Sequence, residues 1–546
     1  MEIEVKGHSG CSIEIVRQGK KLTIEKGTKD PKYVDRLYQQ ALKQQKAQNT
    51  KLQFIRVPEI FNIIKNDNEM LMQMEYIYSR NFIDNFENAG FEQINYFIKA
   101  IDIFIQSEIE RSEMQDIPLN VVTDKFADVK NKTLANSFMQ DREDVKQIIE
   151  RSEPFFMNIS ELKMPVGVCH GDLTLSNILF NGNNYFLIDF LDSFIESPLL
   201  DMVKIRQDTA HHWSPLMYEG EYDKTRFNII SRQIDKELHK IFSRYDWYVR
   251  YYDVFQLMNL LRVLQYGHEQ KVVDYLVVEI NSILDKMESQ NSEYKSTNIV
   301  TNGASNISEA PKNTLQRTII VPIAADKPEY DNVMPHVFRM NNQGIMLCIA
   351  GILGLDINKN DRIYFTILKK HSEHYRIREM MNVQLQRLGL DQQSEIIELD
   401  EHTNSQPHTV YTTIKKKNIS GTILVKDADC YFDAERILEN GIYSFPLDSM
   451  NQVNPQGKSY IQTDDMYYIT NIIERRIIGR DFCAGGYCFE NANDFAHYYE
   501  QNMEHTPLYM SHIIYSALLD GQSFRPMKVK NYKDWGTSKD WNLNQE

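Results

Sequence analysis

The run Val168-Cys169-His170-Gly171-Asp172-Leu173-Thr174-Leu175-Ser176-Asn177-Ile178-Leu179 is followed by Phe186-Leu187-Ile188-Asp189-Phe190. Together they set an Asp, an Asn and a second Asp at the ends of short apolar segments. Phosphoryl transfer from ATP calls for that set. One carboxylate takes the proton of the acceptor hydroxyl, while an Asn and another carboxylate hold Mg²⁺ on the phosphates. A single Asp after a strand is ordinarily a turn or cap residue; three such residues in this order point to chemistry instead. His170 is expected to order the loop, Asp201 to be structural and Asp192 to be a solvated loop carboxylate.

A second group lies far along the chain. Lys426-Asp427-Ala428-Asp429-Cys430-Tyr431 follows the strand-like run Thr422–Val425. Two carboxylates at a strand end suit a divalent ion on a nucleotide diphosphate. The plain alternative is a solvated turn capping a helix, since Asp-x-Asp is a frequent pair.

Elements must position these groups. Up to about residue 80 the pattern alternates between strand runs (Cys11–Val16, Lys21–Lys26, near Phe54, Met70–Tyr76) and one helix, Tyr33–Gln48. Residues 81–288 are mostly helical, so a small β lobe (1–78), a hinge and a larger helical lobe (79–288) are expected. Residues 289–316 are rich in Ser, Asn, Thr and Lys and read as a linker. From Arg317 to the end, 317–546, strands and helices alternate: Ile319–Ile323, a helix around Gly344–Leu353, Arg362–Leu368, helix Tyr375–Leu388, Ser394–Leu399, helix His408–Lys417 and Thr422–Val425. That alternation predicts a mainly parallel sheet with ligands at its carboxyl ends.

Bulk properties narrow the class. At 546 residues the chain is too long for one core. Lys+Arg 61 against Asp+Glu 76 gives −15, which argues against nucleic acid or an anionic membrane as main partner. No signal-peptide core and no apolar run of membrane-span length is present. Six cysteines without zinc-type spacing fit a reduced cytoplasmic protein, with Cys483 and Cys488 expected to serve packing. The expected partners are nucleotides and a small molecule, and a homo-oligomer is compatible with the composition.

The first of these regions, about 1–288, resembles the aminoglycoside phosphotransferase and choline kinase group of protein-kinase-like enzymes, on its His-Gly-Asp-x4-Asn and Ile-Asp-Phe motifs. The resemblance implies an α+β bilobal kinase domain in which Asp172 is the catalytic base and Asn177 and Asp189 ligate Mg²⁺. It implies that Lys26 steadies the ATP phosphates and that Met74-Glu75-Tyr76-Ile77 is the hinge meeting adenine. Gly7-His8-Ser9-Gly10-Cys11-Ser12 would cover the phosphates with backbone N–H groups. The helix after Lys26 offers Gln39, Gln40, Gln44 and Gln45 but no Glu, the usual partner of that lysine. Trp247 or Tyr251 could line an acceptor pocket, although such an aromatic run is more often core.

The C-terminal part is similar to sugar-phosphate nucleotidyltransferases and phosphocholine cytidylyltransferases, an α/β, Rossmann-like glycosyltransferase-A fold. The residues that carry this likeness are Thr403-Asn404-Ser405-Gln406-Pro407-His408-Thr409, Glu474-Arg475, Ala484-Gly485-Gly486-Tyr487 and Tyr532-Lys533-Asp534-Trp535-Gly536-Thr537. It implies that Gln406, Glu474 and Gly486 contact a second NTP of unstated base or its sugar. Asp427, Asp429 and Asp534 would hold Mg²⁺. Where that family has a glycine-rich loop, this chain has Ile323-Ala324-Ala325-Asp326-Lys327-Pro328-Glu329-Tyr330.

Joined, the two resemblances imply a bifunctional enzyme: ATP-dependent phosphorylation of a sugar, polyol or amino alcohol, then nucleotidyl transfer to the new phosphate. Precursors of surface polysaccharide or lipid headgroups are the natural setting. Two alternatives stay open: a kinase with an inactive nucleotide-sugar-sensing domain, and a kinase fused to a glycosyltransferase.

Overall fold

A computed structural model describes residues 11–19, 21–50, 52–293, 316–325, 334–450, 455–536 and 541. The chain is mixed α/β and divides into two compact units. The first holds residues up to Glu87, Gln93–Asp223 and those from Ile230 onward; the second holds Asn88–Glu92, Lys224–Ile229 and the C-terminal part. Among the described residues, no helix is long and apolar enough to cross a membrane.

The first unit begins with a four-stranded antiparallel sheet. Its order is Ser12–Gln18, Lys21–Thr28, Met70–Glu75, Ile60–Lys65. The sequence reading omitted Ile60–Lys65, whose outward residues are mostly exposed and carry no clean alternation. Helix Pro31–Gln48 is started by Asp30, which accepts the Lys32 N–H, and by Pro31 at its first position. It buries Val34, Leu37 and Ala41, three or four residues apart, against Ile60, Met70, Met72 and Met74 of the sheet. Helices follow, among them Phe91–Glu110, Pro198–Thr209, Asp246–Leu264 and Gln270–Glu293. The last of these runs on past 288, into the segment read as linker. Between the helices, hairpin Ile178–Asn181/Asn184–Leu187 separates the two acidic motifs.

The second unit is built on a nine-stranded sheet. Arg317–Ile323 lies between Arg362–Leu368 and Thr422–Lys426, and Ser394–Leu399 flanks the former; these four are parallel. The expectation of a mainly parallel sheet holds for this part only. Asp481–Phe489 joins antiparallel to Thr422–Lys426, and Gly441–Pro446 pairs antiparallel with it in turn. The helix expected around Gly344–Leu353 is a single turn, Leu347–Ala350. Apolar residues there are buried all round, so no helical stripe decided their conformation. The helix expected at Tyr375–Leu388 is split at Arg376, at φ +53°, into Lys369–Tyr375 and Ile377–Arg387.

Candidate active site

In the first unit, the loop after strand Lys163–Gly167 is fixed by buried acids. The Asp201 carboxylate accepts the backbone N–H groups of His170 (2.6 Å), Gly171 (2.8 Å) and Leu173 (3.3 Å). Glu108 adds a bond from the His170 N–H at 2.9 Å. Burial first, and Asp201 beside it, hold the Glu108 carboxyl well above its ordinary range. Asp208 accepts the Leu175 N–H at 2.6 Å and the Ser214 N–H at 2.9 Å. Charged acceptors contribute roughly 1.5–3 kcal/mol per bond when the donors would otherwise be buried unpaired, enough to set a loop's course.

His170 is fully buried and bridges the two motifs. Its Nδ1 accepts the Asp172 N–H at 3.2 Å and its Nε2 faces the Ile188 carbonyl at 2.9 Å. Burial lowers its pKa, which keeps the ring neutral with the proton on Nε2. Gly171 takes φ +87°, and a Cβ there would stand 1.9 Å from the Leu191 carbonyl oxygen, so only glycine fits.

The side chains held by this frame meet in two sets, Asp172 with Asn177 and Lys204, and Asp189 with Lys26. Asn177 donates through Nδ2 to the Asp172 carbonyl (2.9 Å) and carboxylate (3.1 Å), which leaves its amide oxygen without a hydrogen bond among the described residues. Asp172 also meets Lys204 at 3.1 Å. Burial opposes the charge on Asp172, but Lys204 and Asn177 outweigh it and hold the carboxyl below its ordinary value. Asp189, at φ +61°, pairs with buried Lys26 across 2.5 Å. The Asn177 oxygen and Asp189 carboxylate are hard oxygen donors of the kind Mg²⁺ takes beside phosphates, so these residues fit that ion.

Other expected residues sit elsewhere or do different work. Gln44 does not reach Lys26; its amide faces the Pro58 carbonyl at 3.4 Å and the Met74 sulfur at 3.6 Å. The helix instead sends Lys43 to Glu196 (2.8 Å) and the Leu191 carbonyl (2.5 Å), tying it to the segment after Asp189. Scanning that helix for a Glu missed the Lys. Glu75 ends its strand and accepts the Glu59 N–H at 3.3 Å, and Tyr76 follows in irregular backbone. Asp192 is exposed, as expected of a loop carboxylate. Ser9 and Gly10 lie outside the described residues. Trp247 stacks on Tyr245, and the Tyr251 hydroxyl lies among the backbone of Glu161 and Lys163; neither lines the recess beside Gly171.

In the second unit, Asp427 and Asp429 follow strand Thr422–Lys426 at its carboxyl end. The Asp427 N–H donates to the Gly485 carbonyl at 2.8 Å, and its carboxylate takes a short bond from Gln406. Burial, then Asp429, push its carboxyl up to about 6. Gly486 lies in the paired strand opposite Lys426. Cys430 pairs with Asp534 across a short two-stranded ladder, and the Trp535 N–H donates to the Asp429 carbonyl at 2.8 Å. Oxygens of Asp429 and Asp534 both come within 4 Å of the position a Cβ would take on Gly536, at 3.8 and 3.2 Å. They therefore border one small space and fit a divalent ion completed by phosphates. Asp534 is meanwhile paired with Lys458 at 2.6 Å, a residue sequence reading missed. Glu474 accepts the hydroxyls of Ser459 (2.6 Å) and Ser511 (2.5 Å). Asp326 and Glu329 lie outside the described residues, and Cys483 and Cys488 are buried and free. Among the described residues, no group of three or more His, Cys, Asp and Glu is arranged to hold a metal by itself.

Comparison with solved structures finds similarity to a nucleoside-diphosphate-sugar pyrophosphorylase from Vibrio cholerae, at 14% identity over 42% of this chain and 99% of that one, TM-score 0.33. It finds similarity to the inositol-1-phosphate CTP transferase from T. maritima, at 13% identity over 41% of this chain and 90% of that one, TM-score 0.33. A thermostable mutant of an aminoglycoside phosphotransferase is similar at 10% identity over 52% of this chain and 94% of that one, TM-score 0.35. Comparison with curated proteins finds no match. Residues 125–225, which carry Asp172, Asn177, Asp189 and Asp201, match the model of the phosphotransferase enzyme family.

Proposed function

We propose that the first unit is a small-molecule kinase. The observation that carries this reading is the pairing of Asp172 with Asn177 and of Asp189 with Lys26 around a loop held by buried carboxylates, the loop lying in a segment that matches a phosphotransferase family. The acceptor hydroxyl gives its proton to Asp172 as its oxygen bonds to the γ-phosphorus; the bond from that phosphorus to the β-phosphate oxygen breaks and ADP leaves. Bound Mg²⁺ would neutralise phosphate charge, with Asn177 and Asp189 as its protein ligands. Lys26 exchanges Asp189 for phosphate oxygens as the nucleotide enters, and the irregular backbone after Glu75 meets adenine.

In the second unit, Asp429 and Asp534, backed by Asp427, would hold Mg²⁺ for nucleotidyl transfer. A phosphate oxygen of the first product bonds to the α-phosphorus of an NTP, and pyrophosphate departs. The Lys458–Asp534 pair favours a second reading, in which the lysine stands in for the cation and the unit only senses nucleotides.

The test is to incubate the full chain with Mg²⁺, ATP and panels of hydroxyl acceptors, following ADP. In parallel, the matching phosphates are supplied with CTP, UTP or GTP, following pyrophosphate. Acceptor-dependent ADP release lost in Asp172→Asn supports the kinase. Nucleotide binding without pyrophosphate for any NTP would leave the second unit a sensor.

A further inference from the structure

Beside Gly171 the first unit has a small recess, lined by Ser193, Phe194, Lys204, Phe255, Asn259 and Arg262 among others. Lys204 is the residue paired with Asp172, so the recess opens at the candidate base. On the reading of Asp172 as base, this is where the acceptor sits. Its polar groups differ in one respect. Ser193 donates to the Gly171 carbonyl at 3.2 Å, and Asn259 donates to Gln207 at 2.8 Å. Lys204 is engaged by Asp172.

Arg262 is not engaged. Its guanidinium lies over the Phe194 ring, 5.5 Å from the centroid, and makes no hydrogen bond or ion pair among the described residues. Burial lowers its pKa, with Asp172 the carboxylate that opposes this most. A half-buried guanidinium whose N–H groups meet no acceptor among the described residues keeps its fork available to an anionic ligand. It stands in an otherwise apolar stretch, Leu260–Leu264, of helix Asp246–Leu264.

We propose that the acceptor carries an anionic group, a carboxylate or a phosphate, which Arg262 binds while the acceptor hydroxyl meets Asp172. This deepens the kinase reading and rests on it. Charge decides among acceptor classes. Lys204 and Arg262 against Asp172 leave the recess net positive, which repels an ammonium compound. Phe194 and Phe255 stack at 6.1 Å and 14°, and such a pair could otherwise recognise a quaternary ammonium. Here the protein's own cation already covers Phe194. A neutral polyol could accept hydrogen bonds from Arg262 but would leave its charge uncompensated. A carboxylate or phosphate accepts two parallel N–H bonds from the guanidinium fork.

The experiment is calorimetric titration of the full chain carrying Asp172→Asn, saturated with ADP and Mg²⁺, using four probes: glycerate, glycerol 3-phosphate, glycerol and choline. ADP fills the nucleotide phosphate sites, so an anion cannot bind there instead. One anionic probe is expected to bind, and its identity separates carboxylate from phosphate recognition. Adding Arg262→Gln should weaken that binding about 30-fold, and Arg262→Lys should recover part of it. Thermal midpoints of both variants control for folding. Preference for glycerol or choline, binding of neither anion, or anion binding undiminished by Arg262→Gln would each overturn the proposal. Failure of ADP and Mg²⁺ to bind at all would instead break the kinase reading beneath it.

Discussion

The loops His170–Asn177 and Lys426–Cys430 both carry carboxylates beyond the end of a strand, yet they are held in opposite ways. In the first, acids from a helix outside the loop, Asp201 and Asp208, grip its backbone N–H groups, and the working side chains are left to face one another. In the second, the side chains are themselves committed, those of the loop and of strand Lys530–Asp534 beside it. Asp427 takes Gln406, Asp534 takes Lys458, and the ammonium of Lys426 is turned inward onto the Asp427 and Cys430 carbonyls, at 2.8 and 2.9 Å. A loop braced through its backbone is organised before ligand arrives. Each site must still release one ion pair before a cation can take the carboxylate, Lys26–Asp189 in the first unit and Lys458–Asp534 in the second.

The strongest way to break this contrast is Asp172→Asn, which should lower acceptor-dependent ADP release about 10³-fold with an unchanged thermal midpoint. Retained turnover would remove the base from the organised loop. Next is the buried pair of carboxyls that both sit at about 6, Asp208 and Asp427. Burial raises Asp208 from 3.8 to about 6, so the folded state holds its proton more tightly than the unfolded chain. Its contribution is full below pH ~4 and is lost as pH rises through ~6, a change of about 3 kcal/mol. Urea midpoints between pH 4 and 7 should fall more steeply in the parent than in Asp208→Asn, which keeps only the slope from groups such as Asp427. Parallel curves would show that the donors around Asp208 keep it ionised throughout.

Asp534→Ala should lower pyrophosphate release about 100-fold and leave ADP release intact. Loss of both activities would make Asp534 a structural residue of the ladder with Cys430. The smallest effect sharpens the comparison through two glycines with positive φ. Gly171→Ala drives a Cβ to 1.9 Å from the Leu191 carbonyl oxygen, whereas Gly485→Ala meets the side chains of Cys430 at 2.6 Å and Asp427 at 2.8 Å. Gly171→Ala should cost about 2 kcal/mol or more, and Gly485→Ala less, because side chains yield where backbone does not. Thermal midpoints order the two, and a reversed order would mean that the first loop is the more compliant.

Much of the framework was legible because local chemistry decided it. Strands Arg362–Leu368 and Ser394–Leu399 matched their apolar runs to the residue. Helix Pro31–Gln48 was legible from its residue pattern, although its start lay two residues before the reading. Errors fell where periodicity was silent: the exposed strand Ile60–Lys65, the buried turn at Leu347–Ala350 and the break at Arg376. The spacing from His170 to Asp189 marked Asp172, Asn177 and Asp189, since each residue type there has a role in handling phosphate. Lys43, Lys204, Arg262 and Lys458 were missed. Lys204 lies three residues after Asp201 on one helix, and Arg262 interrupts an apolar stretch; both were faint signals.

By itself the sequence determined which residues could do chemistry and the order of the elements that carry them, because motif spacing and hydrophobic period are local properties. Only the tertiary structure decided which charge answers which. Lys26 meets Asp189 across 163 positions, Lys43 meets Glu196 across 153, and Lys204 rather than a loop lysine meets Asp172. Such pairings depend on burial and on the meeting of distant elements. An ammonium with several carboxylates in the chain carries no mark of its partner until folding excludes water and leaves one within reach.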